Sequence, residues 1–84
     1  MHVVAEPTPN PNARKFSVGK AVGGPATFTP ANADDDPTAA ELLAIDGVAS
    51  VFMTADFVTV TKTAEVEWSN IEPEATEVLN RRFG

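Results

Sequence analysis

Hydrophobic and polar positions alternate most regularly between residues 48 and 62, where VASVFMTADFVTVTK holds two β-rich runs, Val48–Thr54 and Phe57–Lys62, separated by Ala55-Asp56. Two such runs around a two-residue break predict a tight hairpin. In the second run Val58 and Val60 point to one face, while Phe57, Thr59 and Thr61 point to the other. One face can therefore meet helices and the other can stay partly wet. Upstream, ARKFSVGK (13–20) alternates Phe16 and Val18 with Lys15, Ser17 and Gly19, the period of a half-buried strand. HVVAEPTP (2–9) begins with two valines and runs into proline, which predicts a short strand at a sheet edge.

The period then changes. Residues 19–36 are rich in glycine and proline with only Val22 and Phe28 as large apolar side chains, and read as a long loop with a brief strand around Ala26–Thr29. Asp36 before Pro37 is a helix start, an N-cap acceptor followed by a proline whose missing donor costs nothing at the first helical position. Leu42, Leu43 and Ile45 supply the apolar side of a helix over Pro37–Ile45, and Gly47 ends it. From Trp68 onward the chain turns helical again, started by a Ser69/Glu72 capping box or by Asn70 as N-cap. Ile71, Ala75, Val78, Leu79 and Arg82 form its stripe. The predicted architecture is α+β, a two-layer sandwich in ββαββα order with a mainly antiparallel sheet and both helices on one face. It is one domain spanning residues 1–84.

Composition supports this and removes several functions. Valine outnumbers leucine ten to three, which favours strands. Twelve acidic residues against six basic ones give a formal charge of −6, so a nucleic-acid partner is not expected. The chain has no cysteine, hence no thiolate for zinc, redox chemistry or an iron–sulfur cluster, and no cofactor is expected. There is no run of 18 apolar residues and no leader-like N-terminus, so no membrane association is expected and a cytoplasmic protein is the default.

Catalytic constellations are missing too. The one histidine, His2, stands beside the start methionine, no serine lies in a G-x-S-x-G setting, and GKAVGG has neither P-loop nor dinucleotide spacing. Turn chemistry accounts for Asp46 and Asp56, and Asp34–Asp36 read as charge and cap for the first helix rather than as a metal site. The protein reads as non-enzymatic. Trp68 is expected in the core, and Arg81-Arg82 as complements to the dipole of the last helix.

PTPNPNARKF (7–16) is the stretch that composition leaves over. The prolines exclude a helix and make it extended. One reading is an edge strand whose prolines block edge-to-edge association. The other is a recognition strip with a pre-set shape, amides that donate and accept, and a basic end at Arg14-Lys15. The two are compatible.

These residues, with ELLAIDGVASVFMTADFVTVTK (41–62) and Glu67-Trp68 before the closing helix, resemble the N-terminal domain of the Nfu/NifU-like iron–sulfur scaffold proteins over nearly the whole chain. The resemblance implies a small α+β domain associated with iron–sulfur cluster assembly. In that family a second, downstream domain holds the cluster through a C-x-x-C pair, and no residue here corresponds to it. What the resemblance carries over is a stand-alone adaptor role: contact with a cysteine-bearing assembly or carrier protein through Thr8, Pro9, Asn10, Pro11, Asn12, Lys15 and Phe16. The alternative is a structural or regulatory domain that homodimerises and has no part in cluster assembly. The oligomeric state stays open between them.

Overall fold

The strand β5 (Phe57–Lys62) is the middle of a five-stranded sheet, and its clean alternation sets one face against the core. Val58 and Val60 are fully buried, and Phe57, Thr59 and Thr61 are half-buried on the other face. On one side β5 pairs with β4 (Val48–Ala55), on the other with β2 (Ala13–Ser17); β1 (Val4–Pro7) and β3 (Gly23–Phe28) are the edges. All four pairings are antiparallel. The computed structural model describes residues 3–83 of the chain, so His2 lies outside the described residues.

Two helices, α1 (Pro37–Leu43) and α2 (Glu72–Phe83), cover the face to which Val58 and Val60 point. Ala39, Leu42 and Ile45 from the first helix and its exit, and Ile71, Ala75, Val78 and Leu79 from the second, pack there against Phe16, Val51, Met53, Val58 and Val60. Each of the larger side chains contributes on the order of 2 kcal/mol by leaving water. The α+β sandwich and its ββαββα order are as predicted, with one strand more developed than expected. The segment read as a loop with a short strand is the six-residue edge β3, which pairs with β4 from Gly23↔Ala55 to Phe28↔Val51 through a register shift between Gly23 and Ala26. Its Gly-Gly-Pro start is a poor strand by propensity. Gly23 and Gly24, at φ +82° and +88°, lie in that irregularity, and regular pairing with β4 is made by Ala26–Phe28.

Local chemistry explains the element ends. Asp36 caps α1 as predicted, its Oδ1 accepting from the Thr38 and Ala39 amides at 2.8 and 3.1 Å. The helix stops at Leu43, two residues early, and Ile45 continues only as a tighter turn, its amide donating to the Leu42 carbonyl. The start of α2 differs from prediction: among the described residues neither Ser69 nor Asn70 caps it by a side chain. A 3₁₀ turn, Trp68–Asn70, leads into it instead, and the Ala75 amide reaches back to the Ile71 carbonyl. Arg81 and Arg82 do more than complement a dipole. Both grip Glu41 of α1, with Arg82 Nε donating to Oε1 at 2.9 Å, and so tie the helices together.

The two-residue break between β4 and β5 is a tight hairpin as expected, with Thr54 opposite Phe57. Ala55 sits there at φ +52°. The β2–β3 connection holds it in place, the Val22 amide donating to the Ala55 carbonyl and the Val18 amide to the Asp56 carbonyl. Gly47, at φ +95°, has a second reason to be glycine: a Cβ there would lie 2.7 Å from Val66 Cγ1.

Two outcomes are expected. Gly47→Ala combines a left-handed backbone with a clash and lowers stability by about 2 kcal/mol, read by urea denaturation. Hydrogen bonding from Arg82, outweighing the opposing effect of burial and joined by Arg81, holds the Glu41 carboxyl below its ordinary 4.5. A carboxyl depressed in the folded state stabilises above its unfolded value and loses that contribution as pH falls through the folded one. The stability gap between wild type and Glu41→Gln is therefore full above pH 4.5 and closes at lower pH, measured by denaturation at each pH.

Candidate functional site

The third inward position of β5, after Val58 and Val60, is Lys62, and it too is buried, with 9% of its surface exposed. A buried ammonium requires partners. Two neutral oxygens serve: Nζ donates to Asn12 Oδ1 at 3.1 Å and to the Thr63 carbonyl at 3.3 Å. The Lys62 amide also donates to the Asn12 carbonyl at 2.8 Å, so Asn12 is held to this lysine by backbone and side chain together.

Asn12 closes the connection between β1 and β2, and there the proline stretch differs from its predicted form. It is not one extended strip. Pro7 ends β1, residues 8–12 reverse the chain, and β2 begins at Ala13. A turn over Asn10–Ala13 is closed by the Ala13 amide on the Asn10 carbonyl at 3.0 Å, with Pro11 at the position where its fixed φ helps most. Asn10 Oδ1 accepts from the Asn12 amide at 2.9 Å, and Thr8 Oγ1 accepts from the Asn10 amide at 3.2 Å. The Thr8 hydroxyl lies 2.9 Å from both the Asn10 and Ala13 carbonyls and donates there. Pro9, Asn10 and Pro11 remain exposed.

Beneath the turn lies Trp68. Rather than entering the core fully it is half-buried at the edge of it, and its Nε1 donates to the Pro11 carbonyl at 3.0 Å. The Arg14 guanidinium lies 5.0 Å from the ring centroid and the Lys62 ammonium 6.0 Å. Both distances fit cation–π attraction. Arg14 also donates from Nη1 to Glu72 Oε2 at 2.7 Å, while its Nε is buried without a hydrogen-bond partner among the described residues.

The structure thus brings together five of the expected site residues, Thr8, Pro9, Asn10, Pro11 and Asn12, and separates two. Phe16 is fully buried in the core, so its ring offers no surface to a partner. Lys15 points to the opposite face of β2 from Arg14, its ammonium 4.5 Å from the Phe57 ring centroid. Reasoning from sequence missed Trp68 and Lys62. The alternation of β5 was the signal for Lys62, because it carries the inward phase one step past Val60.

Replacing Trp68 by Phe retains the packing and removes the bond to Pro11. The expected cost is about 1 kcal/mol in urea denaturation, with faster amide exchange at residues 10–13 than in the wild type.

Comparison with known proteins gives a consistent picture. Residues 3–84 match the family described as scaffold protein Nfu/NifU, N terminal. The chain is 44% identical over 78 residues to the human NFU1 iron-sulfur cluster scaffold homolog, mitochondrial, covering 88% of this chain and 31% of that protein. It is 42% identical over 82 residues to the Arabidopsis thaliana NifU-like protein 5, mitochondrial, covering 94% of this chain and 30% of that protein. The chain spans about a third of the length of these relatives. Among solved structures, a NifU-like protein from Saccharomyces cerevisiae superimposes with a TM-score of 0.83 at 26% identity, covering 95% of this chain and 76% of that one. Protein SAV1430 from Staphylococcus aureus gives 0.81 at 26% identity, covering 93% and 98%. The mitochondrial relatives overturn the cytoplasmic expectation, which rested on the absence of a leader at the start of a chain that matches only part of those proteins.

Proposed function

Because the chain belongs to the family of Nfu/NifU scaffold-protein N-terminal domains, we propose that it works by protein contact in iron–sulfur cluster assembly. It presents the Thr8–Asn12 turn to a cysteine-bearing assembly or carrier protein. The cluster is cargo in this reading. The chain has no cysteine, so no thiolate of its own holds the cluster, and its contribution is surface shape and charge with no bond made or broken.

The observation that carries the reading is how completely the turn is built from within. The Asn10 and Thr8 side chains satisfy its backbone, and Trp68 and Lys62, the latter through Asn12, hold it from below. A loop fixed before binding loses little conformational entropy when a partner docks. Its tip, Pro9-Asn10-Pro11, faces water with prolines on both sides of one amide. That internal bonding also changes which variant is informative. Replacing the asparagines by alanine removes bonds the turn itself uses, whereas Asn10→Asp keeps the Oδ acceptor for the Asn12 amide and alters only what the tip offers outward.

Capture from mitochondrial extract with wild type and Asn10→Asp as baits, read by mass spectrometry, tests the proposal. Wild type should recover cysteine-bearing iron–sulfur assembly or carrier proteins. Asn10→Asp, with an unchanged melting temperature, should bind them about tenfold more weakly, equivalent to about 1.4 kcal/mol. Equal recovery by both baits would leave the turn as a structural feature, and so would a stable dimer that buries it.

A further inference from the structure

The basic side chains of this acidic protein are unevenly matched. Arg81 and Arg82 are engaged by Glu41, and Arg14 by Glu72. Lys15 lies over Phe57 on the other face of the sheet. Lys62 differs from all of these: it is nine-tenths buried, yet among the described residues no carboxylate pairs with it. Its neutral acceptors, Asn12 Oδ1 and the Thr63 carbonyl, occupy two of the three N–H donors of an ammonium.

A buried donor with no partner lies beside it. Arg14 Nε is buried without a partner, and both cations flank the same indole, at 5.0 and 6.0 Å from its centroid. Glu72 neutralises one of the two positive charges, which leaves a local excess of one. A single anion offsets that charge and accepts from the donors that Lys62 and the partly exposed end of Arg14 have left. The net charge of −6 disfavours a dianion or a polyanion.

We infer that Lys62, Arg14 and the Trp68 ring form a seat for one carboxylate, supplied by an acidic side chain in the partner segment that docks on the turn. This deepens the contact reading and rests on it. The turn provides shape, and the seat provides selection for an acidic residue next to the contact. Lys62 supplies its free N–H, Arg14 its remaining Nη donors, and Trp68 a low-dielectric wall that strengthens both.

The test is a nuclear magnetic resonance titration of the ¹⁵N-labelled chain with the blocked peptide Ac-Gly-Glu-Gly-NH₂, which carries one carboxylate. Its controls are the amide peptide Ac-Gly-Gln-Gly-NH₂ and inorganic phosphate. The expected result is a saturable shift of the Trp68 indole N–H and of the Lys62 amide, with a dissociation constant of about 1 mM, weakening as salt is raised. The amide peptide should leave both signals in place, and Lys62→Met, which keeps the buried stem, should weaken the acidic peptide about tenfold. No saturation by about 10 mM, or an equal response to the amide peptide or to phosphate, would overturn the seat. If Lys62→Met does not fold, the two controls on wild type still decide. The two proposals fail separately. Partner capture that Asn10→Asp weakens and Lys62→Met leaves intact removes the seat and keeps the contact surface, whereas a carboxylate response without partner capture does the reverse.

Discussion

One inward-pointing lysine organises this end of the molecule. The alternation of β5 is strict, so the face that buries Val58 and Val60 must also receive Lys62. An ammonium in that place is costly unless its donors are met. Asn12 and the Thr63 carbonyl meet two of the three, the indole of Trp68 lies close by, and the β1–β2 turn, the end of β5 and the approach to α2 are drawn together as a result. The turn's conformation is thus tied to the core through a polar contact, and the surface it presents inherits the rigidity of the sheet.

How much of this was legible depended on whether the signal was local. The β4–β5 hairpin, the Asp36-Pro37 helix start and the Ile71, Ala75, Val78, Leu79 stripe are written in neighbouring residues, and each is present in the fold. β3 was only partly visible, because Gly23, Gly24 and Pro25 disfavour a strand and its regular pairing with β4 is confined to Ala26–Phe28. The same holds for Arg81 and Arg82, whose partner Glu41 is some 40 residues distant. At the candidate site, the prolines and asparagines of residues 7–12 excluded a helix but did not show the turn, since nothing local says where the extended chain turns back. Phe16 was misjudged for a related reason. It belongs to the motif by sequence and to the core by alternation, and alternation decides.

Within the scaffold-protein family, the chain corresponds to about a third of the length of its human and Arabidopsis thaliana relatives. Lacking cysteine, it has nothing with which to compete for a cluster through thiolates. The proposed contact role draws on an acidic body, a turn bonded from within, and the Lys62 and Arg14 cations beside it.

The bonds beneath the turn span long stretches of chain. Trp68 to Pro11 closes 57 residues, Arg14 to Glu72 closes 58 and Lys62 to Asn12 closes 50. Contacts of such sequence separation carry a large loop-closure entropy and form only once the intervening strands have paired. The surface under the turn therefore has no counterpart in a partly folded chain. Any partner that recognises it selects the completed fold, and by mass action its binding adds to the stability of the whole domain rather than of the turn alone.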